Sequence, residues 1–171
     1  MTKYEQINFH AEHIAAEIHK GLFNRPLCRY LKNWVESNFD CRIKIVFQDL
    51  SKLTCSGFIH FDPSTKGCRI TINSKDTLQR QRFTFCHEIG HLIRNLGLEY
   101  GLSTGDIYST WGVERFCNRF AAAFLMPKEI FIRKWNSILE NDVLKKARIA
   151  KYFGVSVDAV YFRSKELKLD S

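Results

Sequence analysis

The chain is short of the residues that punctuate loops, with three prolines and nine glycines in 171 residues. That excludes a collagen-like or Pro/Gly-rich low-complexity protein, and no internal repeat is visible. No apolar run approaches the roughly 18 residues of a membrane span. The first ten residues, Met-Thr-Lys-Tyr-Glu-Gln-Ile-Asn-Phe-His, hold no apolar signal core. The expectation is a soluble protein of the cytoplasm with no membrane partner. None of the six cysteines (28, 41, 55, 68, 86 and 117) forms a Cys-x-x-Cys pair, which removes a cysteine-type zinc site. Without a secretory signal they are expected as reduced thiols, with Cys86 a small buried hydrophobe. Acidic residues are few as well: 18 against 26 basic, for a net charge of +8. The excess favours an anionic partner, either nucleic acid or an acidic protein surface, although a solvated basic surface would look the same.

What is present is enough for a core: 45% of residues are hydrophobic and 13% aromatic. Ala11, Ile14, Ala15 and Ile18 fall at helical spacing, and Gly21 ends the run. A second helix is expected from Pro26, with Leu27, Tyr30, Leu31, Trp34 and Val35 on one face. The period then drops to two. Ile43, Ile45 and Phe47 alternate with Lys44, Val46 and Gln48 as a strand with one buried face. Residues 56–61 and 68–73 read as a hairpin around the turn Asp62-Pro-Ser-Thr-Lys-Gly67, with Phe58 and Ile70 covering the sheet. Helices return at 78–96, 112–126 and 128–140; the last holds Ile130, Ile132, Trp135 and Leu139. The class is α+β: a small antiparallel sheet packed with helices.

Residues 87–91 read His-Glu-Ile-Gly-His. Two histidines four apart on a helix share one face, so both rings reach a single metal ion, while Glu88 reaches a water beside it. Phe85, Ile89, Leu92 and Leu96 form the apolar stripe of the same helix. Catalytic zinc usually takes a third protein ligand. Glu114, at the start of the next helix, is the first candidate; Glu99 and Asp106 in the intervening loop are the alternatives. Asn118, one turn after Glu114, is placed to hold a ligating histidine by its other nitrogen. The small residues Ala121, Ala122 and Ala123 would let the two helices approach. His10, His13, His19 and His60 have no comparable partners.

The segments Arg82-Phe-Thr-Phe-Cys-His-Glu-Ile-Gly-His-Leu-Ile93 and Glu114-Arg-Phe-Cys-Asn-Arg-Phe-Ala-Ala-Ala-Phe-Leu-Met-Pro127 resemble the paired motifs of the ImmA/IrrE family of zinc metallopeptidases. Cys117 and Phe124 stand where that family usually has Ala and Leu, both at packing positions. The resemblance implies a gluzincin-type, zincin-like domain with Zn2+ held by His87, His91 and Glu114, and Glu88 as catalytic base. It also implies a protein substrate, a DNA-binding repressor whose cleavage turns on mobile-element or stress genes. Tyr100 and Tyr108, in the loop between the site helices, are candidates to stabilise the oxyanion.

Residues 142–167 read as two helices about a turn at Gly154, with Ser156 as N-cap, and Ala147, Ile149, Ala150, Phe153, Val155, Val160 and Leu167 at apolar spacing. This helix-turn-helix-like pair would present Asp158, Tyr161, Arg163 and Lys165. The expected division is a peptidase domain at 1–140 and the helical pair at 141–171, which either packs on the core or binds DNA directly. The competing reading is a DNA-binding or metal-sensing regulator that keeps the zincin fold without relevant proteolysis. Oligomeric state is not legible in the sequence.

Overall fold

A computed structural model describes residues 2–21, 27–62, 64–95 and 110–170. Its elements are helix α1 (Lys3–His19), α2 (Leu27–Phe39), strand β1 (Arg42–Gln48), β2 (Gly57–Asp62), β3 (Gly67–Asn73), then α3 (Leu78–Asn95), α4 (Thr110–Leu125), α5 (Lys128–Asn136), α6 (Lys145–Phe153) and α7 (Val157–Glu166). The expected mixture of helices around one small sheet is what folds. Pro26, Leu96 and the residues between α3 and α4 lie outside the described set.

The sheet differs from expectation in one respect. Its order is β1-β3-β2. β2 and β3 form the antiparallel hairpin, but β1 runs parallel to β3. The reason is burial: β3 carries Cys68, Ile70, Thr71, Ile72 and Asn73, all buried, and so takes the centre. The chain reverses twice, between β1 and β2 and again at the hairpin, which leaves β1 and β3 pointing the same way. Both remaining strands are edges, and this corrects two side-chain expectations. Phe58 and Phe47 are exposed rather than covering the sheet. On β2, Ile59 and Phe61 pack inward instead. Phe58-Ile59-His60-Phe61 has apolar residues on both faces, so alternation alone could not choose between them. Leu139 and Ala147 are also exposed, because α5 stops at Asn136 and α6 turns Ala147 outward.

α3 lies across β2 and β3, and α2 packs against α3 and β1. α4 is sandwiched between α3 and α1. The apolar stripes explain this: Ile7, Ala11, Ile14, Ala15 and Ile18 from α1, and Phe85, Ile89 and Leu92 from α3, are all buried. Phe116, Phe120 and Phe124 stack successively along α4 at 6.3 and 6.0 Å between ring centres. The last carbonyls of a helix have no partner within it. Here two are met from other elements. His19 Nε2 lies 2.7 Å from the Phe124 carbonyl, and Arg163 Nε donates to that of Met126 at 3.1 Å. No described helix is long and apolar enough to cross a membrane.

Gly154 closes α6 in the left-handed region, at φ 62°, and Ser156 caps α7 by accepting from the Ala159 amide at 3.1 Å. The turn between the last two helices is as expected, but the face they present is not. Arg163 is fully buried, paired with Glu12 of α1. Arg119 of α4 pairs with Glu12 at 3.0 Å and with Glu166. Two guanidiniums and two carboxylates therefore join α1, α4 and α7. All six cysteines are free thiols.

Candidate metal centre

Two helices build the centre. α3 supplies His87, Glu88 and His91; α4 supplies Glu114 and Asn118. The Nε2 atoms of His87 and His91 lie 3.1 Å apart. Glu114 faces both rings, with Oε2 3.3 Å from His87 Nε2 and Oε1 3.2 Å from His91 Nε2. One donor atom from each of the three residues lies within 4.8 Å of the others. Asn118 meets His87 on its other side, Oδ1 to Nδ1 at 3.0 Å. An amide oxygen only accepts, so this contact places the proton on Nδ1 and leaves the Nε2 lone pair facing Glu114 and His91. A ring lone pair and carboxylate oxygens crowded into one small volume are acceptors in need of a cation. Two imidazoles and one carboxylate are a donor set that suits a divalent transition metal.

The electrostatics fit the same purpose. Burial, with help from the neighbouring His91, pushes the His87 pKa below its ordinary value, against the opposing pull of Glu114 and Asn118. The ring therefore stays neutral, the form that binds metal. Glu88 is 6% exposed, and burial raises its carboxyl to about 7, with the Glu114 charge adding to the effect. A cation beside it would draw that value down again.

Close helix approach makes the cluster feasible. The tight contact is at Gly90, inside the His-Glu-Ile-Gly-His segment. A Cβ there would stand 3.0 Å from the Cα of Cys117 on α4. Since Glu114 and Asn118 flank Cys117, the glycine sets the helix separation at the level of the three donor side chains. The helices run antiparallel, the later residue Asn118 meeting the earlier residue His87.

A cleft of about 850 Å3 opens beside the centre, with His87, Glu88, Glu114 and Asn118 on its wall. Ser56 and Gly57 at the start of β2 line one side, and Ala159, Phe162 and Glu166 of α7 another. Glu99 and Asp106, the alternative ligands, and Tyr100 and Tyr108, the oxyanion candidates, fall outside the described residues.

A family model, the IrrE N-terminal-like domain of Peptidase M78, matches residues 41–165. The chain belongs to that peptidase family. The radiation response metalloprotease IrrE of Deinococcus radiodurans is 44% identical over 77 residues, covering 41% of this chain and 22% of that protein. A solved Mycobacterium tuberculosis transcriptional regulator shares the fold, with a TM-score of 0.61 at 20% identity. It covers 95% of this chain and 51% of its own. The chain thus spans about a fifth of the curated relative's length and half that of the solved structure.

The M78 match begins at β1, so α1 and α2 lie before it. Yet α1 reaches the site's surroundings through Asn8, whose side-chain oxygen accepts from Arg115 at 3.1 Å, and through Glu12. Sequence reasoning missed Arg82 as well. Its guanidinium donates to the carbonyls of Phe153 at 3.3 Å and Gly154 at 2.7 Å, tying α3 to the turn before α7. The only sequence signal was its place five residues before His87.

Proposed function

We propose that this M78 chain is a zinc-dependent endopeptidase of the cytoplasm, with His87, His91 and Glu114 as metal ligands, Glu88 as general base and Asn118 as the group that orients His87. The observation that carries the reading is the convergence of the three donor side chains beside a buried carboxylate that is not among them. A purely structural metal site needs no such carboxylate. Zinc bound there would supply Lewis acidity toward the peptide carbonyl and toward water.

The residues divide the remaining work. Glu88 accepts a proton from the attacking water and returns it to the leaving amide nitrogen, so peptide and water become acid and amine. Its buried position excludes bulk water from that exchange. Asn118 holds the His87 tautomer. Tyr100 and Tyr108 are retained as oxyanion candidates. The substrate we propose is a helix-turn-helix repressor, cut to derepress mobile-element or stress genes.

The alternative is a DNA-binding or metal-sensing regulator. The +8 charge and the fold shared with a transcriptional regulator favour it. The burial of Arg163 against Glu12 weighs against it, since a basic side chain turned inward is unavailable to DNA. The same contacts support treating residues 141–171 as part of the peptidase rather than as a separate module.

Incubation of the zinc-loaded chain with a co-encoded repressor decides between the two. The endopeptidase predicts a single cut, abolished by chelator and by Glu88→Gln, with zinc stoichiometry retained in that variant. Wild-type cleavage by Glu88→Gln would remove the base assignment. A salt-dependent shift of DNA without cleavage would favour the regulator.

A further inference from the structure

We infer that the cleft selects one bulky apolar side chain beside the bond to be cut, in a pocket between Phe83, Ala122, Ala159 and Phe162, with α7 as the specificity wall. The inference rests on the endopeptidase reading and names the substrate feature that this site recognises.

Phe83 lies four residues before His87 on α3, and Ala122 four residues after Asn118 on α4. The helices are antiparallel, so both steps run the same way, about 6 Å along the pair. One turn from the metal centre the cleft is therefore floored by an aromatic ring and a methyl group. α7 and the turn before it supply the facing wall through Val155, Ala159 and Phe162. Ala159 and Phe162, three apart on α7, share one helical face, and Val155 stands in the turn before it. An extended peptide advances about 3.3 Å per residue, so the pocket meets a side chain one or two residues from the scissile bond. Two of its four walls are alanines, which leaves volume for a large guest.

The two arginines beside α7 do not compete for that guest. Arg119 and Arg163 also border the cleft, but Glu12 and Glu166 neutralise them. An acidic substrate side chain directed at these paired arginines would lose water without gaining a free partner. The ion pairs have a second effect: they anchor α7 to α1 and α4, so the wall is in place before substrate arrives. Arg82, on the Phe153 and Gly154 carbonyls, holds the other end of that wall.

Two measurements on the zinc-loaded chain test this. In the first, tryptic peptides of a bacterial lysate are the substrate, and cut sites are read by mass spectrometry. Leu, Ile, Met or Phe should be enriched at one fixed position beside the cut. Ala159→Phe, which fills the pocket, should move that preference to Gly, Ala and Ser by about ten-fold or more, with zinc content unchanged. In the second, Glu88→Gln protein is titrated calorimetrically with blocked pentapeptides Gly-Gly-X-Gly-Gly. Leu or Phe at X should bind about ten-fold tighter than Gly or Asp. Ala159→Phe should close that gap, and Phe162→Ala, at an exposed position where folding is not at stake, should narrow it. Equal binding of the Leu and Asp peptides, or a preference that survives both substitutions, overturns the pocket. If the wild-type chain cuts neither these peptides nor a co-encoded repressor, the endopeptidase reading fails, while the calorimetry still decides the pocket.

Discussion

Asn118 holds His87 from behind: its side-chain oxygen sits 3.0 Å from Nδ1, while Glu114, one turn earlier on the same helix, lies 3.3 Å from Nε2. One helix thus grips both nitrogens of one ring. Asn118→Ala should free the ring to rotate and change tautomer, lowering zinc affinity about 10- to 100-fold. Asn118→Asp, which still accepts from Nδ1, should retain most of it. Competition against a chromophoric chelator measures both; unchanged affinity in the alanine variant would dismiss the orienting role.

Gly90→Ala places a methyl group against the backbone of Cys117, which cannot swing aside as a side-chain tip could. The helices must separate or shift, at a cost of about 1–3 kcal/mol. Because Glu114 and Asn118 flank the contact, zinc affinity should fall in the same variant. Urea denaturation of the zinc-free protein and a zinc titration separate the two effects. A substitution silent in both would mean that the crossing relaxes freely.

Arg163→Met removes the buried partner of Glu12 and the donor to the Met126 carbonyl. The loss should be on the order of 3 kcal/mol, since an acid and a carbonyl are left short of partners. Adding Glu12→Gln should give less than the sum of the two single losses, as expected of groups in direct contact. Chemical denaturation of the four proteins completes the cycle, and strict additivity would argue against coupling.

His19 is pushed below its ordinary pKa of 6.5, chiefly by burial, with its bond to the Phe124 carbonyl acting the other way. The unfolded chain then takes up a proton at this residue before the folded chain does. Its contribution is fully present above about pH 6.5 and declines as pH falls toward the folded pKa. Glu88 acts oppositely: its raised pKa makes the folded zinc-free chain hold the proton longer, favouring folding below about pH 7. The two are separated by His19→Gln, which keeps a donor toward Phe124 but does not titrate. Between pH 7.5 and 5.5 the urea midpoint of this variant should shift toward greater relative stability at the lower pH than that of the wild type. An identical pH dependence in the two proteins would place the titration elsewhere.

The helices were legible because their signals are local. The stripes of α1 and α3, the Gly154 turn and the Ser156 cap each depend on residues within a turn or two. His87 and His91 share a face by spacing alone, and Glu114 with Asn118, one turn apart on the next helix, were expected beside them. The parallel pairing of β1 was not legible, because neither strand's alternation says which neighbour lies in the centre. Phe47 and Phe58 looked suited to the core, but edge strands have one face with nothing to cover it.

The chain's order of residues, taken alone, determined which chemistry is available: two imidazoles and a carboxylate at helical spacing, and a second carboxylate and an amide one turn apart. Tertiary structure decided the distance between those two sets, through the missing Cβ at Gly90, and the role of the last helix. Arg163 reads as a surface base until Glu12, 151 residues earlier, is seen to pair with it. A buried charge needs a partner wherever the fold can supply one, and only the packed chain shows which residue that is.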